Sequence, residues 1–407
     1  MRRRLRSWLI VAALFASSLA VAAQSASSPA GRDVAATAHR PARAVEPFAV
    51  ATRTMHFVPA PDDSDSDHDK WAAGSIKMPF VTGGTAGVAD RINTVLYLEE
   101  LNLAPPPAPG ADFTPPRDHL PEGIRGIEFE VDRNDPAVLS IVLTLFQCGH
   151  PCTEQSAAFH FDARTGQRLW LHELLTPQGG KALVRSRSQA GMAVYAQALA
   201  QLPPLPEPKD DDGDTAAAPS PAIDPAADPN EPGSDERREF LEGCRDMWEH
   251  DDRLSDAQVD FALPPGGLDL DMTACAASTR ERRMDVLPQP IHLGADELEP
   301  WLSDYGRNIV LGRGAASRPI DPVGQVLRGR VGGALVTMYL RQAADGKPDG
   351  IYFYERHRVP ITLYADPKLP ALELRENGDT GFTLNREGAR LVGTWHGNGK
   401  TLPVRLE

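Results

Sequence analysis

The stretch GFTLNREGARLVGTWHGNGKTLPVRLE, residues 381–407, decides the architecture. It holds three short strand-like runs, 381–385, 389–396 and 402–406, the last two separated by the turn residues Gly397-Asn398-Gly399. The same texture extends upstream, with further runs at 325–330, 334–341, 350–357, 360–365 and 371–375. Asp345-Gly346, Asp349-Gly350 and Asn377-Gly378 mark other turns, and such dipeptides are strong hairpin signals. Eight short antiparallel strands leave either an open sheet with exposed edges or a closed barrel. Closure removes the edges, and eight strands make the smallest barrel that side chains can fill. The expectation is a small up-and-down barrel over residues 323–407, with a sandwich as the alternative.

Upstream the pattern changes. Val88, Ile92, Val95 and Leu96 recur at helical spacing, which predicts an amphipathic helix over 90–101. Alternating or continuously apolar runs predict strands at 126–131, 138–146 and 157–162, the middle one central and buried on both faces. The turn Arg164-Thr165-Gly166-Gln167 predicts a return strand at 168–171. Helices follow at 181–202 and from Ser234, the latter burying Phe240, Leu241, Cys244, Met247 and Trp248. Strand character resumes over 259–270, and a short helix is expected at 298–309. Between the two long helices, residues 202–235 carry nine prolines and nine acids against Lys209 alone, a composition that cannot supply a core. The fold class is therefore an α+β N-terminal domain, an antiparallel sheet with packed helices over 47–311 and a disordered insertion at 202–235. A linker at 312–322 joins it to the small all-β C-terminal domain.

The first residues set the expected address. Arg2, Arg3, Arg4 and Arg6 precede an apolar run that ends in Ala20-Val21-Ala22, the pattern of a cleaved export signal over 1–22. Residues 23–46 are Ala/Ser/Arg/Pro-rich and expected to be disordered. Export to the periplasm agrees with an even cysteine count, and the favoured pairing is Cys148 with Cys152 and Cys244 with Cys275. A zinc site beside His150 lacks the paired ligand spacing. The formal net charge is −14, or −18 without the four leader arginines. Most of the excess lies in 202–235 and in Asp62, Asp63, Asp65, Asp67 and Asp69. This balance argues against nucleic acid as a partner. The Asp63–Asp67 run copies half of a calcium loop, but His68 and Gly74 stand where Gly and Glu are required. It reads as a solvated charge run.

Several short motifs in the first domain carry a family resemblance. Met78-Pro79-Phe80 with Ala89-Asp90-Arg91-Ile92-Asn93, Leu139-Ser140-Ile141-Val142, and Phe159-His160-Phe161-Asp162 with Thr165-Gly166-Gln167 are three of them. Asp260-Phe261-Ala262-Leu263 and Leu298-Glu299-Pro300-Trp301-Leu302 are two more. Together they resemble the RsiV-like extracellular domain of lysozyme-sensing anti-sigma factors and of PdaC-type peptidoglycan deacetylases, where it is an accessory domain. The resemblance implies recognition of a cell-wall-related partner. The cysteines around Gly149-His150-Pro151 and the 202–235 insertion depart from it. The terminal module, through Gly350-Ile351-Tyr352-Phe353-Tyr354 and Gly393-Thr394-Trp395, resembles an uncharacterised envelope β-module.

Catalytic signatures are sparse. There is no Gly-x-Ser-x-Gly elbow, and His172-Glu173 lacks a second histidine at position 176, which is Thr. Two clusters are candidate sites. His150, Glu154, His160 and Asp162 flank one hairpin, where they would bind a metal or shuttle protons; otherwise His160 points outward and Asp162 organises the turn. Tyr352, Tyr354, His357 and Trp395 would line a sugar- or peptide-binding barrel mouth. The leading expectation is a monomeric, non-enzymatic periplasmic binding protein for lysozyme or peptidoglycan fragments, with no cofactor, no metal and no membrane span after cleavage. A cell-wall hydrolase or deacetylase and a structural envelope-assembly factor are the alternatives.

Overall fold

The computed structural model describes residues 47–57, 74–107, 124–148, 152–204, 233–250, 260–272, 275–276, 279–286, 288–314, 318, 321–342, 348–365 and 372–407. The expected leader, the 23–46 segment, the 62–69 acidic run, His150 and residues 205–232 of the insertion lie outside them.

Strands β1 (Ala49–Phe57) and β2 (Gly74–Thr82) pair in unbroken antiparallel register from Ala49 opposite Thr82 to Phe57 opposite Gly74. Helix α1 (Val88–Leu101) then crosses to β3 (Ile124–Asn134), which runs parallel to β2 through Ile76 opposite Ile127. β3, β4 (Val138–Cys148) and β5 (Cys152–Asp162) form an antiparallel meander, and the five strands lie in chain order. Side chains alternate between faces along a strand. Ile127 on β3, Leu139, Ile141 and Leu143 on β4, and Phe159 and Phe161 on β5 therefore meet α1 in one core. Cys148 and Cys152 stand opposite each other in register, but their side chains, and so their pairing, lie outside the described residues.

α1 begins two residues earlier than the periodicity predicts, behind Gly87 at φ 80°. It is buried on more than one face: Ile92, Val95, Leu96, Tyr97 and Leu98 are all fully covered. A helix apolar on most of its circumference is a core helix. The second cover comes from Val326, Tyr339, Ile351 and Phe353, which belong to the same cluster.

The expected return strand at 168–171 shrinks to one bridge, Phe161 to Arg168, and the chain turns into α2 (Leu171–Leu174). α3 (Pro177–Ala200) starts behind Thr176, whose hydroxyl accepts from Gly179 N at 2.9 Å, with Pro177 in the first turn, where its missing N–H costs nothing. α4 (Ser234–Glu249) packs on it through Leu241, Cys244 and Trp248 against Tyr195. Met247, expected on that face, is 43% exposed because the i, i+3, i+7 spacing of the other three leaves it to the side. Cys244 is bonded to Cys275. β6 (Phe261–Ala262), β7 (Leu268–Leu270) and β8 (Ile291–Leu293) form a second small sheet, with α5 (Thr279–Met284) between the last two. The helix expected over 298–309 is two: α6 (Ala295–Leu298) and α7 (Asp304–Leu311). Pro300 offers no N–H to prolong the first, and Ser303 caps the second by accepting from Gly306 N at 2.9 Å.

The remaining strands are β9 (Val326–Val331), β10 (Ala334–Gln342), β11 (Pro348–Tyr354) and β12 (Ile361–Ala365), followed by β13 (Glu373–Arg375), β14 (Gly381–Glu387), β15 (Arg390–Gly397) and β16 (Lys400–Leu406). Each is antiparallel to the next, and β16 returns to β9 with Val404 opposite Val331, closing an up-and-down barrel. The sandwich alternative is excluded. Asn398 and Gly399 both take positive φ, 52° and 71°, as a tight β15–β16 hairpin requires. Met338, Leu340, Tyr352, Leu363, Leu374 and Phe382 fill the interior without exposure.

One buried charge joins barrel, helix and sheet. Arg168 pairs with Glu99 of α1, and Tyr339 of β10 donates to the same carboxylate. The guanidinium lies 4.4 Å from the Phe159 ring centroid and 4.5 Å from that of Trp170. Burial alone would lower its pKa, but Glu99 and Tyr339 outweigh that and hold it above the ordinary arginine value.

Two stability outcomes follow. Glu99→Ala leaves Arg168 uncompensated and should lower unfolding free energy by about 3–5 kcal/mol, whereas Tyr339→Phe, which removes one hydrogen bond to a carboxylate, should cost about 1.5–3 kcal/mol; urea titration ranks them. The Cys244–Cys275 bridge spans a sequence separation of 31. Replacing both cysteines by serine should cost about 3–4 kcal/mol by the loop-closure relation, seen as a lower denaturation midpoint under oxidising conditions.

Candidate functional site

The hairpin cluster does not converge. Glu154 is exposed and opposite Phe146, while His160 is opposite Ser140, six residues along β5. At a strand's rise per residue that is about 20 Å. His160, whose alternative outward placement is also overturned, is 2% exposed because β6 covers it. Its Nδ1 meets Ser140 Oγ at 2.8 Å and its Nε2 meets the Phe261 carbonyl at 2.5 Å, so the ring pins β6 to the main sheet. Burial pushes its pKa down to about 4, leaving a neutral imidazole that donates from Nε2 and accepts at Nδ1. Asp162 is also engaged. Its Oδ1 accepts from Arg164 Nε and the Arg164 backbone N–H, both at 2.9 Å. Oδ2 accepts from Arg164 Nη2 at 3.0 Å and from Tyr305 OH at 2.9 Å. The carboxylate thus organises the 162–167 turn and ties it to α7. Among the described residues no group of three or more His, Cys, Asp and Glu is arranged to hold a metal ion.

The barrel residues do converge. Antiparallel order puts the β9–β10, β11–β12, β13–β14 and β15–β16 turns at one end. Inward positions on β11 are Tyr352 and Tyr354, and on β15 Trp395, which stands between Phe382 and Leu402 of its neighbouring strands. Tyr352 is fully buried and meets Phe382 across the barrel, ring centroids 5.1 Å apart and edge to face. Its other neighbour is Tyr354, at 5.5 Å. Tyr354 and Trp395 are partly exposed, so Tyr352 forms a floor and the other two form walls. His357 is exposed in the turn that leaves β11 at this rim.

The centre of the mouth is Glu376, a residue the sequence reading missed. One oxygen, Oε1, accepts from Tyr352 OH at 2.6 Å and from Trp395 Nε1 at 2.6 Å. Its backbone N–H donates to Thr380 O at 2.9 Å, closing the Asn377-Gly378 turn. Two signals for it were present. Leu372 and Leu374 face inward, so 376 shares their parity, and an Asn-Gly turn directly after it fixes it at the barrel's end. Burial, with Glu376 beside it, keeps the Tyr352 phenol far above its ordinary pKa, so it stays a donor. The geometry offers a carboxylate held by the Tyr352 O–H and the Trp395 N–H, beside the partly exposed Tyr354 and Trp395 rings, at a half-open, otherwise packed mouth.

No protein-family model matches the chain, and no curated protein matches it. Among solved structures it is similar to a DUF3298 family protein from Pseudomonas aeruginosa PAO1, with 12% identity and TM-score 0.34 over 64% of this chain and 97% of that one. A DUF3298 family member from Bacteroides fragilis NCTC 9343 gives 12% and 0.34 over 65% and 97%.

The His160 assignment has a pH signature. Its pKa is about 4 in the fold and about 6.5 when unfolded. The unfolded chain therefore binds the extra proton between these values, and stability rises with pH across that window. Acidification from above 6.5 to 4 should remove roughly 3 kcal/mol, and His160→Gln should flatten that slope in denaturation measured across the window.

Proposed function

We propose that this chain is a non-enzymatic binding protein of the bacterial envelope whose barrel mouth takes a cell-wall-derived ligand, a peptidoglycan fragment. The observation that carries the reading is Glu376, held by Tyr352 and Trp395 among partly exposed aromatic rings. Aromatic faces stack on the apolar faces of sugar rings, and a fixed carboxylate accepts hydroxyl or amide protons, which together orient a saccharide. The hydrolase alternative is weakened, because two of its four hairpin groups, His160 and Asp162, are saturated parts of the fold and a third, Glu154, stands six residues from His160 along β5. The envelope address rests on the leader sequence.

A second reading, docking of a cationic protein such as lysozyme, draws on one specific feature. Glu128, Glu130 and Glu154 are exposed and share the sheet face turned away from α1.

Calorimetry of the mature chain with a disaccharide-peptide and with C-type lysozyme separates the readings. The disaccharide-peptide should saturate, with Trp395→Ala weakening it at least about tenfold. No heat with this ligand overturns the mouth reading. Lysozyme binding abolished by Gln at the three glutamates would put the second reading in its place.

A further inference from the structure

We infer that the barrel mouth selects ligands that present a primary ammonium group, with Glu376 as its counter-charge and the surrounding rings as its cage. This rests on the mouth being the binding site and names the chemistry it recognises there. Six other carboxylates that are buried or half-buried are each paired with an arginine. Glu99 meets Arg168, Asp135 meets Arg133 and Asp162 meets Arg164. Glu173 meets Arg318, Asp349 meets Arg341 and Glu355 meets Arg358. Asp285 is met by neutral donors, the Tyr195 hydroxyl and the Ala276 and Val286 N–H groups, whereas each of these six takes its cation from within the fold.

Glu376 does not. Its partners are the neutral donors Tyr352 OH and Trp395 Nε1, and among the described residues it enters no ion pair. Arg375, next in sequence, points to the outside of the barrel with Nη1 3.3 Å from His396 Nε2. Strand alternation enforces this, because 374 and 376 face in and 375 faces out. The mouth thus holds a half-buried carboxylate that, among the described residues, enters no ion pair, while the Arg356 and Lys400 side chains of the rim turns are exposed. The partly exposed Tyr354 and Trp395 rings would add to the attraction wherever a cation comes within about 6 Å of a ring centroid on its electron-rich face. An amine from outside satisfies both features. A neutral acetamido group satisfies neither.

The competing account is that Glu376 merely brackets Tyr352 and Trp395. Glu376→Gln separates the two, because the amide oxygen still accepts from both donors while the charge is gone. Two ligand pairs test the inference at equal ionic strength. One is a disaccharide-peptide with a free diamino-acid amine and the same molecule acetylated there. The other is the glucosamine trimer and its N-acetylated counterpart. The free-amine member should bind about tenfold more tightly in whichever pair engages, and Glu376→Gln should equalise that pair. The pair that shows the ratio tells whether a peptide amine or an amino sugar is the source. Equal affinities within both pairs on the native chain would overturn the ammonium inference and leave the saccharide reading standing. Binding of none of the four would sink both. If Glu376→Gln is misfolded by circular dichroism, the native ratio and its collapse at high salt still decide.

Discussion

Keeping the Arg168 guanidinium charged while largely out of water is the constraint on which the rest of the structure leans. Its side chain is 17% exposed and that of Glu99 is 9% exposed. A shielded charge of this kind is tolerable only if paired and hydrogen-bonded. The partners come from three places. Phe159 is on β5, Glu99 on α1, and Tyr339 on the barrel wall at β10. Satisfying one cation therefore fixes the sheet, the helix and the barrel against each other. Nearby contacts follow the same joint: Val326 N donates to Gln167 Oε1 at 3.1 Å, and Arg318 grips Glu173 at 2.9 Å.

α1 shows what this does to packing. An isolated amphipathic helix buries one stripe, but here the sheet takes one side and Val326, Tyr339, Ile351 and Phe353 take another. Those four barrel residues alternate with inward ones such as Leu327, Met338, Leu340 and Tyr352. The barrel wall is thus apolar on both faces where it meets α1. This matches the sequence, where 334–340 and 351–354 are almost continuously apolar.

The barrel was legible because its information is local. Turn dipeptides and period-two runs lie next to each other in the chain, and closure follows from edge chemistry. The α+β part was less legible because its partners are distant in sequence. β1 and β2 form a nine-residue register across an intervening segment, and no short-range turn announces them. β8 is three residues long and exists only as a partner of β7. His160 carries a polar side chain on a strand, so sequence alone could not place it inward. The element that buries it, β6, lies 101 residues away. Glu376 was readable in principle, from parity and the Asn377-Gly378 turn, but a glutamate before a hairpin resembles any solvated charge until the rings around it are known.

The two candidate clusters differ in how their hydrogen-bonding capacity is used. Both nitrogens of His160 and both oxygens of Asp162 are committed inside the fold, which removes them from proton transfer or metal binding. Glu376 commits its Oε1 to two neutral donors at an exposed rim. The interior below it is closed by Tyr352 against Phe382 and by the leucines beneath. An eight-stranded barrel filled to that level has no chamber for an enclosed small molecule. What reaches Glu376 must enter from the end and stop at the floor formed by Tyr352. Such a site fits a protruding substituent or a chain terminus, so the body of the ligand would stay outside the barrel. Its affinity for a polymer would then depend on how many free ends the polymer presents.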